Sequence, residues 1–287
     1  MGSKEAVRKS YRSDLTNEQW DLIKDRLPTG KGTGRPRTVD LREVINTIHY
    51  QARTGCQWDY LPHDLLPKST VWDYFVAWQK DGTWQKLVDA LRGQVRTEEG
   101  REETPSAACI DSQTVKSTEM GGSVGYDGGK KIKGRKRHIV VDTLGLLLAV
   151  AVTAGNLDDG THAWQVLEKV TADKVPRLTK IFADNKYNNK ALQSWMAATQ
   201  APYTMEIAMK PEGEPGFKPV KIRWVVEQAH ACHGRCRRLS KDYERLTSSS
   251  ETWIQVSAIQ RMLRRLRPDP NNRQAAFKYP SKLKQSA

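Results

Sequence analysis

The sequence predicts an α/β domain built on a mixed sheet, preceded by a smaller all-helical unit. Three observations predict it. Apolar residues recur at helical spacing up to about residue 95 and at strand spacing after residue 106. Between these regions lies GQVRTEEGREETPS, which is rich in charge, Gly and Pro and has no apolar period. Beyond it the elements run three strands, helix, strand, helix, strand, helix, an order that a mixed sheet accommodates. The expected divisions are a helical domain over 1–95, a linker over 96–106, an α/β domain over 107–267 and a basic, partly disordered tail over 268–287.

The helical unit opens with LTNEQWDLIKDRLP. Thr16 is the N-cap and Gln19, three residues on, completes a capping box. Trp20, Ile23 and Leu27 share one face, and Pro28 stops the helix. Asp40 caps a second helix whose stripe is Leu41, Val44, Ile45 and Ile48, and Gly55 breaks it. Ser69 is the expected cap of a third helix, TVWDYFVAWQK, and Trp84, Leu87, Val88 and Leu91 mark a fourth.

In the second region SAACIDSQTV, GRKRHIVVDTL and LLLAVAVTAG read as strands, with a tight turn at Leu144-Gly145. A helix over DGTHAWQVLEKVTAD, a short strand LTKIFAD, a helix NNKALQSWMAA and a strand APYTMEIAM follow. RWVVEQAHACHGRCRRLSKDYER reads as one helix, and a last helix spans 253–266.

The charge balance narrows the function. There are 47 Lys and Arg against 33 Asp and Glu, a net charge of +14, which favours a polyanionic partner through counterion release. A hydrophobic fraction of 38% and nine tryptophans argue for a packed core rather than a disordered chain. Cys56, Cys109, Cys232 and Cys236 form no C-x-x-C pair and suit free thiols in a reducing cytoplasm. No apolar run has the length of a membrane span, the first residues lack the apolar core of a signal peptide, and no Walker A loop is present.

Three carboxylates stand out. Asp111 and Asp184 each follow an apolar strand run, where strands open into a site. If the first and fourth strands are neighbours the two aspartates meet, and the late helix can bring in Glu227. Each alone reads equally as a cap or a surface charge; together, on a basic chain, they suit phosphodiester chemistry with two divalent ions held by shared carboxylates.

These blocks, in this order, resemble DDE-type bacterial insertion-sequence transposases of the group named for insertion sequence five. LTNEQWDLIKDRLP, GRPR and TGCQWDYLP are similar to the family's N-terminal domain. IDSQTVKS, GYDGGKKIKGRKRHIVVDTLGLLL, FADNKY and the Glu227 segment are similar to its catalytic core. The resemblance implies an RNase H-like fold, an Asp111–Asp184–Glu227 triad, two Mg²⁺ or Mn²⁺ ions, and cleavage and joining of DNA at terminal inverted repeats. Double-stranded DNA is then the partner, a dimer or larger assembly forms on it, and the setting is a prokaryotic, nucleoid-associated cytoplasm. The family's Y-x2-R-x3-E-x6-K signature keeps Arg223 and Glu227, but Val220 fills the tyrosine slot and Gly234 the lysine slot. Those departures keep open a DNA-gripping relative that no longer cuts.

Several basic residues are candidate DNA contacts. Lys130, Lys131, Lys133, Arg135, Lys136 and Arg137 read as a strand-edge phosphate surface, or as a lysine-protected edge. Arg35 and Arg37 of GRPR suit a minor groove or a plain linker equally. Arg223 and Arg235 flank Glu227 at near-whole helical turns, and Arg237 and Arg238 extend the track. Residues 42–78 read as a helix-turn-helix whose tryptophans belong to the core. His230, Cys232, His233 and Cys236 cannot converge on one zinc ion from one helix, although His230 is one turn from Glu227. Asp142 reads as a strand or turn residue, Asp158 and Asp159 as helix caps, and Asn185 as a substrate-orienting neighbour of Asp184.

Overall fold

The computed structural model describes residues 8–30, 37–119, 122–208 and 224–270. Arg35, Val220, Arg223 and residues 271–287 of the tail therefore lie outside the described residues.

The first helix α1 (Asn17–Asp21) carries the expected reciprocal capping box, but a 3-10 turn over Lys24–Arg26 replaces its second half. Helix α2 (Leu41–Thr54) starts on Asp40, whose carboxylate accepts from the Arg42 N–H, and ends at Gly55 with φ +72°. That left-handed conformation suits glycine and closes the helix. Helix α3 (Lys68–Lys80) begins after Pro67 with no side-chain cap, so Ser69 sits inside it. The 13 residues between α2 and α3, with a 3-10 turn at Trp58–Tyr60, are too long for the tight turn of a helix-turn-helix. Helix α4 (Thr83–Glu98) runs past the expected linker boundary at 96.

The sheet comprises β1 (Ala107–Lys116), β2 (Gly125–Asp127), β3 (Ile132–Asp142), β4 (Leu147–Ala154), β5 (Lys180–Ala183) and β6 (Thr204–Ile207). Strand β3 pairs antiparallel with β1 on one side and with β2 and β4 on the other, while β1, β5 and β6 are parallel. The chain is thus the mixed α/β sheet the sequence predicts. Gly145, at φ +71°, makes the β3–β4 turn, and the Asp142 carboxylate accepts from the Leu144 and Leu146 N–H groups.

Each sheet face has its own core. One packs α5 (Trp164–Leu167), α6 (Lys190–Ala198) and their loops on Ala108, Ile110, Val140 and Ala149. The other joins Cys109, Ile139, Val141 and Val150 to α7 (Trp224–His233), α8 (Thr247–Leu266) and the N-terminal helices. Phe75 and Trp253 pack in a tilted pair with ring centroids 4.7 Å apart, and Trp58 and Trp84 pack on Phe75, so helical unit and sheet share one apolar core. Arg96 on α4 adds a buried ion pair to Asp142 at 2.7 Å. No helix among the described residues is long and apolar enough to cross a membrane.

Candidate active site

Strands β1 and β5 run side by side, with Ala107 opposite Lys180 and Cys109 opposite Phe182. Carried two residues further, this register sets Asp111 beside Asp184. Side chains alternate between faces along a strand. Cys109 and Phe182 belong to the core under α7 and α8, so both aspartates turn toward that face. Asp184 also starts the 3-10 turn Asn185–Tyr187 by accepting from the Lys186 N–H at 2.9 Å.

Helix α7 lies across β1 and β3. The buried His230 ring sits against the Asp111 backbone. Burial, followed by the charges of Arg137 and Lys130, pulls this imidazole down to about 3, so it is neutral. Glu227 stands one turn earlier on α7 and is exposed. Two carboxylates are therefore in register, with the third on a helix that touches one of them. Among the described residues no three His, Cys, Asp or Glu side chains converge closely enough to hold a metal ion. The aspartate pair supplies the hard oxygen donors that Mg²⁺ or Mn²⁺ prefers, and Glu227 is an exposed carboxylate one turn from the residue that meets Asp111.

Behind the aspartates, on the opposite face, lies a buried polar network with signals too local to read as a site. Asp159 pairs with Lys136 at 2.9 Å and Lys186 at 3.2 Å, and accepts from Ser112. Burial pushes its carboxyl up, but hydrogen bonds from Lys136 and Ser112 outweigh that and bring it down to about 2. Burial, then the charges of Asp111, Asp159 and Asp184, raises the Tyr187 hydroxyl well above its usual value. Ser112 and Tyr187 follow the aspartates in IDSQ and ADNKY, and that adjacency was their only sequence signal. Asp159 is no helix cap; Asp158 makes the turn there by accepting from the Gly160 and Thr161 N–H groups. Asn185 is exposed.

The basic candidates divide. Lys130, Lys131 and Lys133 on the β2–β3 hairpin are exposed, as are Arg37, Arg235 and Arg237. Arg135, Lys136, Arg137 and Arg238 are not, which corrects the phosphate-surface reading for these four. Arg135 is fully buried, pairs with Asp242 at 3.0 Å and donates to the Glu244 and Arg245 carbonyls. Arg137 donates to the Leu239 and Lys241 carbonyls, and Lys136 serves Asp159 and the Leu157 carbonyl. Arg238 pairs with Glu244 and lies over Trp253. Strand β3 is interior beyond Lys133, so Arg135, Lys136 and Arg137 are spent on the fold. The expected single helix of 223–245 ends at His233, which leaves Arg235 off the helical face assumed for it. His233 bonds Ser257 at 3.0 Å, a structural partner rather than a metal ligand.

Comparison with known proteins agrees with this architecture. The family model described as "Putative transposase of IS4/5 family (DUF4096)" matches residues 15–88, and "Transposase DDE domain" matches residues 102–262. The "Insertion element IS402 uncharacterized 16.2 kDa protein" of Burkholderia cepacia is 28% identical over 118 residues, covering 39% of this chain and 78% of that protein. The "Putative transposase for insertion sequence element IS402" of the same organism is 29% identical over 118 residues, 39% of this chain and 54% of that protein. The chain thus spans about half the length of that relative.

Proposed function

This chain belongs to the family of DDE-domain transposases, and on that premise we propose that Asp111, Asp184 and Glu227 form its catalytic triad. The observation that carries the proposal is the β1–β5 register, which sets two aspartates side by side beneath the helix that bears the third carboxylate. Glu227 would complete the set by a turn of its side chain toward Asp111. Mg²⁺ or Mn²⁺ bound there, as two ions, would sharpen an attacking hydroxyl and stabilise the leaving oxygen. The reaction is hydrolysis of the phosphodiester at each end of an insertion element, then attack of the freed 3′-hydroxyl on target DNA. Neutral His230, packed on Asp111, fixes α7 over the strand without adding positive charge to the site. Lys130, Lys131, Lys133, Arg37, Arg235 and Arg237 are the exposed cations that meet phosphates, joined by Arg35 and Arg223.

The helical region up to residue 98 reads the terminal repeats and the region from 107 onward does the chemistry. Two ends must be held together, so the working form is at least a dimer on DNA, acting where the chromosome lies. The test uses labelled duplex carrying the element's own ends, Mg²⁺ or Mn²⁺, and Asp184→Ala alongside. Metal-dependent nicks at the boundary, reduced at least a thousandfold in the variant, are expected. Tight binding without cleavage under either metal sinks the triad and leaves a DNA-gripping protein. The exposed position of Glu227 and the Gly234 slot are the features that would favour that outcome.

A further inference from the structure

Four arginines surround one recess away from the carboxylates. Arg53 on the last turn of α2, Arg235 just past α7, and Arg261 and Arg264 on α8 line a cleft of about 210 Å³, together with Ser257 and Gln260. No carboxylate lines it. Among the described residues none of the four makes an ion pair, whereas their neighbours Arg265 and Arg267 are paired with Glu99 and Glu98. Among the described residues Arg261 donates only to the Gly145 carbonyl, at 3.1 Å. Burial depresses both α8 guanidiniums. Arg53 adds to the depression of Arg264, and Arg265 and Arg235 add to that of Arg261; the cleft thiols Cys232 and Cys236, then Asp142 and Asp269, offset this only in part.

Holding like charges together in a half-buried cleft costs free energy, and elsewhere this fold pairs the buried Arg92, Arg96, Arg135 and Arg238 with a carboxylate each. Guanidinium forks match phosphate oxygens two at a time, so the charge missing from the recess is one that phosphate supplies. The recess is small and no aromatic ring lines it, which suits a phosphate group without a base to stack. It is also placed for DNA. Helix α7 carries the chain roughly 9 Å from Glu227 to its end at His233, and Arg235 follows two residues on, a few base pairs along a duplex.

We infer that this four-arginine recess is a phosphate-binding subsite that seats a backbone phosphate of duplex DNA a few base pairs from the scissile position. The inference rests on the DNA-cleaving function proposed above. It requires a contact that neither the carboxylates nor the β2–β3 lysines supply.

The experiment compares wild type with Arg53→Gln/Arg264→Gln in two arms. The first measures affinity for the element-end duplex against salt concentration. The double variant should bind more weakly and lose about 0.9 from the log–log slope for each phosphate contact removed. The second measures the thermal midpoint in sodium phosphate against sodium chloride at equal ionic strength. Phosphate should raise the wild-type midpoint and not the variant's, while in chloride the variant should be at least as stable as wild type, because repulsion has been removed. An unchanged salt slope overturns the inference. Phosphate stabilisation alongside an unchanged slope assigns the recess to free phosphate instead. Wild-type protein that binds no duplex sinks the DNA function itself, a result separable from either outcome because it does not depend on the variant.

Discussion

Two basic regions of this molecule look alike in the sequence and are treated oppositely by the fold. In the run from Lys130 to Arg137, the β3 residues Arg135, Lys136 and Arg137 are buried, and each donates to carboxylates or carbonyls up to 110 residues away. Around α7 and α8, Arg53, Arg235, Arg261 and Arg264 face one cleft with no carboxylate lining it. Counting positive residues therefore overstates the surface available to DNA. What separates the regions is position: an interior strand must neutralise its charges, whereas a helix edge can leave them for a ligand.

The largest expected effect breaks the buried set. Arg135→Ala leaves Asp242, itself fully buried, without its ion-pair partner, and should cost about 3–5 kcal/mol of stability. Chemical denaturation measures it. Arg135→Met with Asp242→Leu should recover much of the loss, and a single variant as stable as wild type would show the pair to be idle.

A second prediction draws on both regions, since each holds a histidine neutral. Burial, then Arg264, lowers His49 to about 3; burial, then Arg261, lowers His233 to about 3; and burial, then Arg137, lowers His230 to about 3. Their unfolded value is about 6.5, so the unfolded chain takes up protons first. The stability they contribute is present above about pH 6.5 and is lost as pH falls toward 3. Thermal midpoints should fall steeply between pH 7 and 5, and His49→Gln should flatten that slope. Parallel curves for the two proteins would remove His49 from the account.

The smallest effect on stability belongs to the exposed lysines. Lys130→Gln with Lys133→Gln should shift unfolding by no more than about 0.5 kcal/mol, yet reduce duplex affinity and its salt slope. A stability loss comparable to that of Arg135→Ala would mean that the hairpin, too, is part of the core.

Several features were legible from local sequence because their physics is local. The Thr16–Gln19 capping box, the Asp40 cap and the Gly145 turn each involve residues within five positions of one another. Asp184 could be placed at a strand end, since an apolar run followed by a carboxylate is a local pattern, but Asp111 sits mid-strand, because pairing with β3 carries β1 five residues past it to Lys116. Others were not legible. Strand β2 is three residues, Gly-Tyr-Asp, with no apolar period, and forms only because β3 offers an edge. Helix α5 shrank to four residues and α7 stopped at His233, since the turns around them are set by contacts outside each segment. His230 and Tyr187 gain their positions from strands more than 70 residues away in the chain.

The sequence by itself determined the class of element at most positions, the order of helices and strands, the basic balance, and the carboxylates available for chemistry. These follow from periodicity, capping and composition, which act over a few residues. Only the tertiary structure decided which charges are free. Whether an arginine meets Asp242, a carbonyl or an open cleft depends on where distant segments come together. A buried charge must be satisfied by whatever that packing brings within about 3 Å of it.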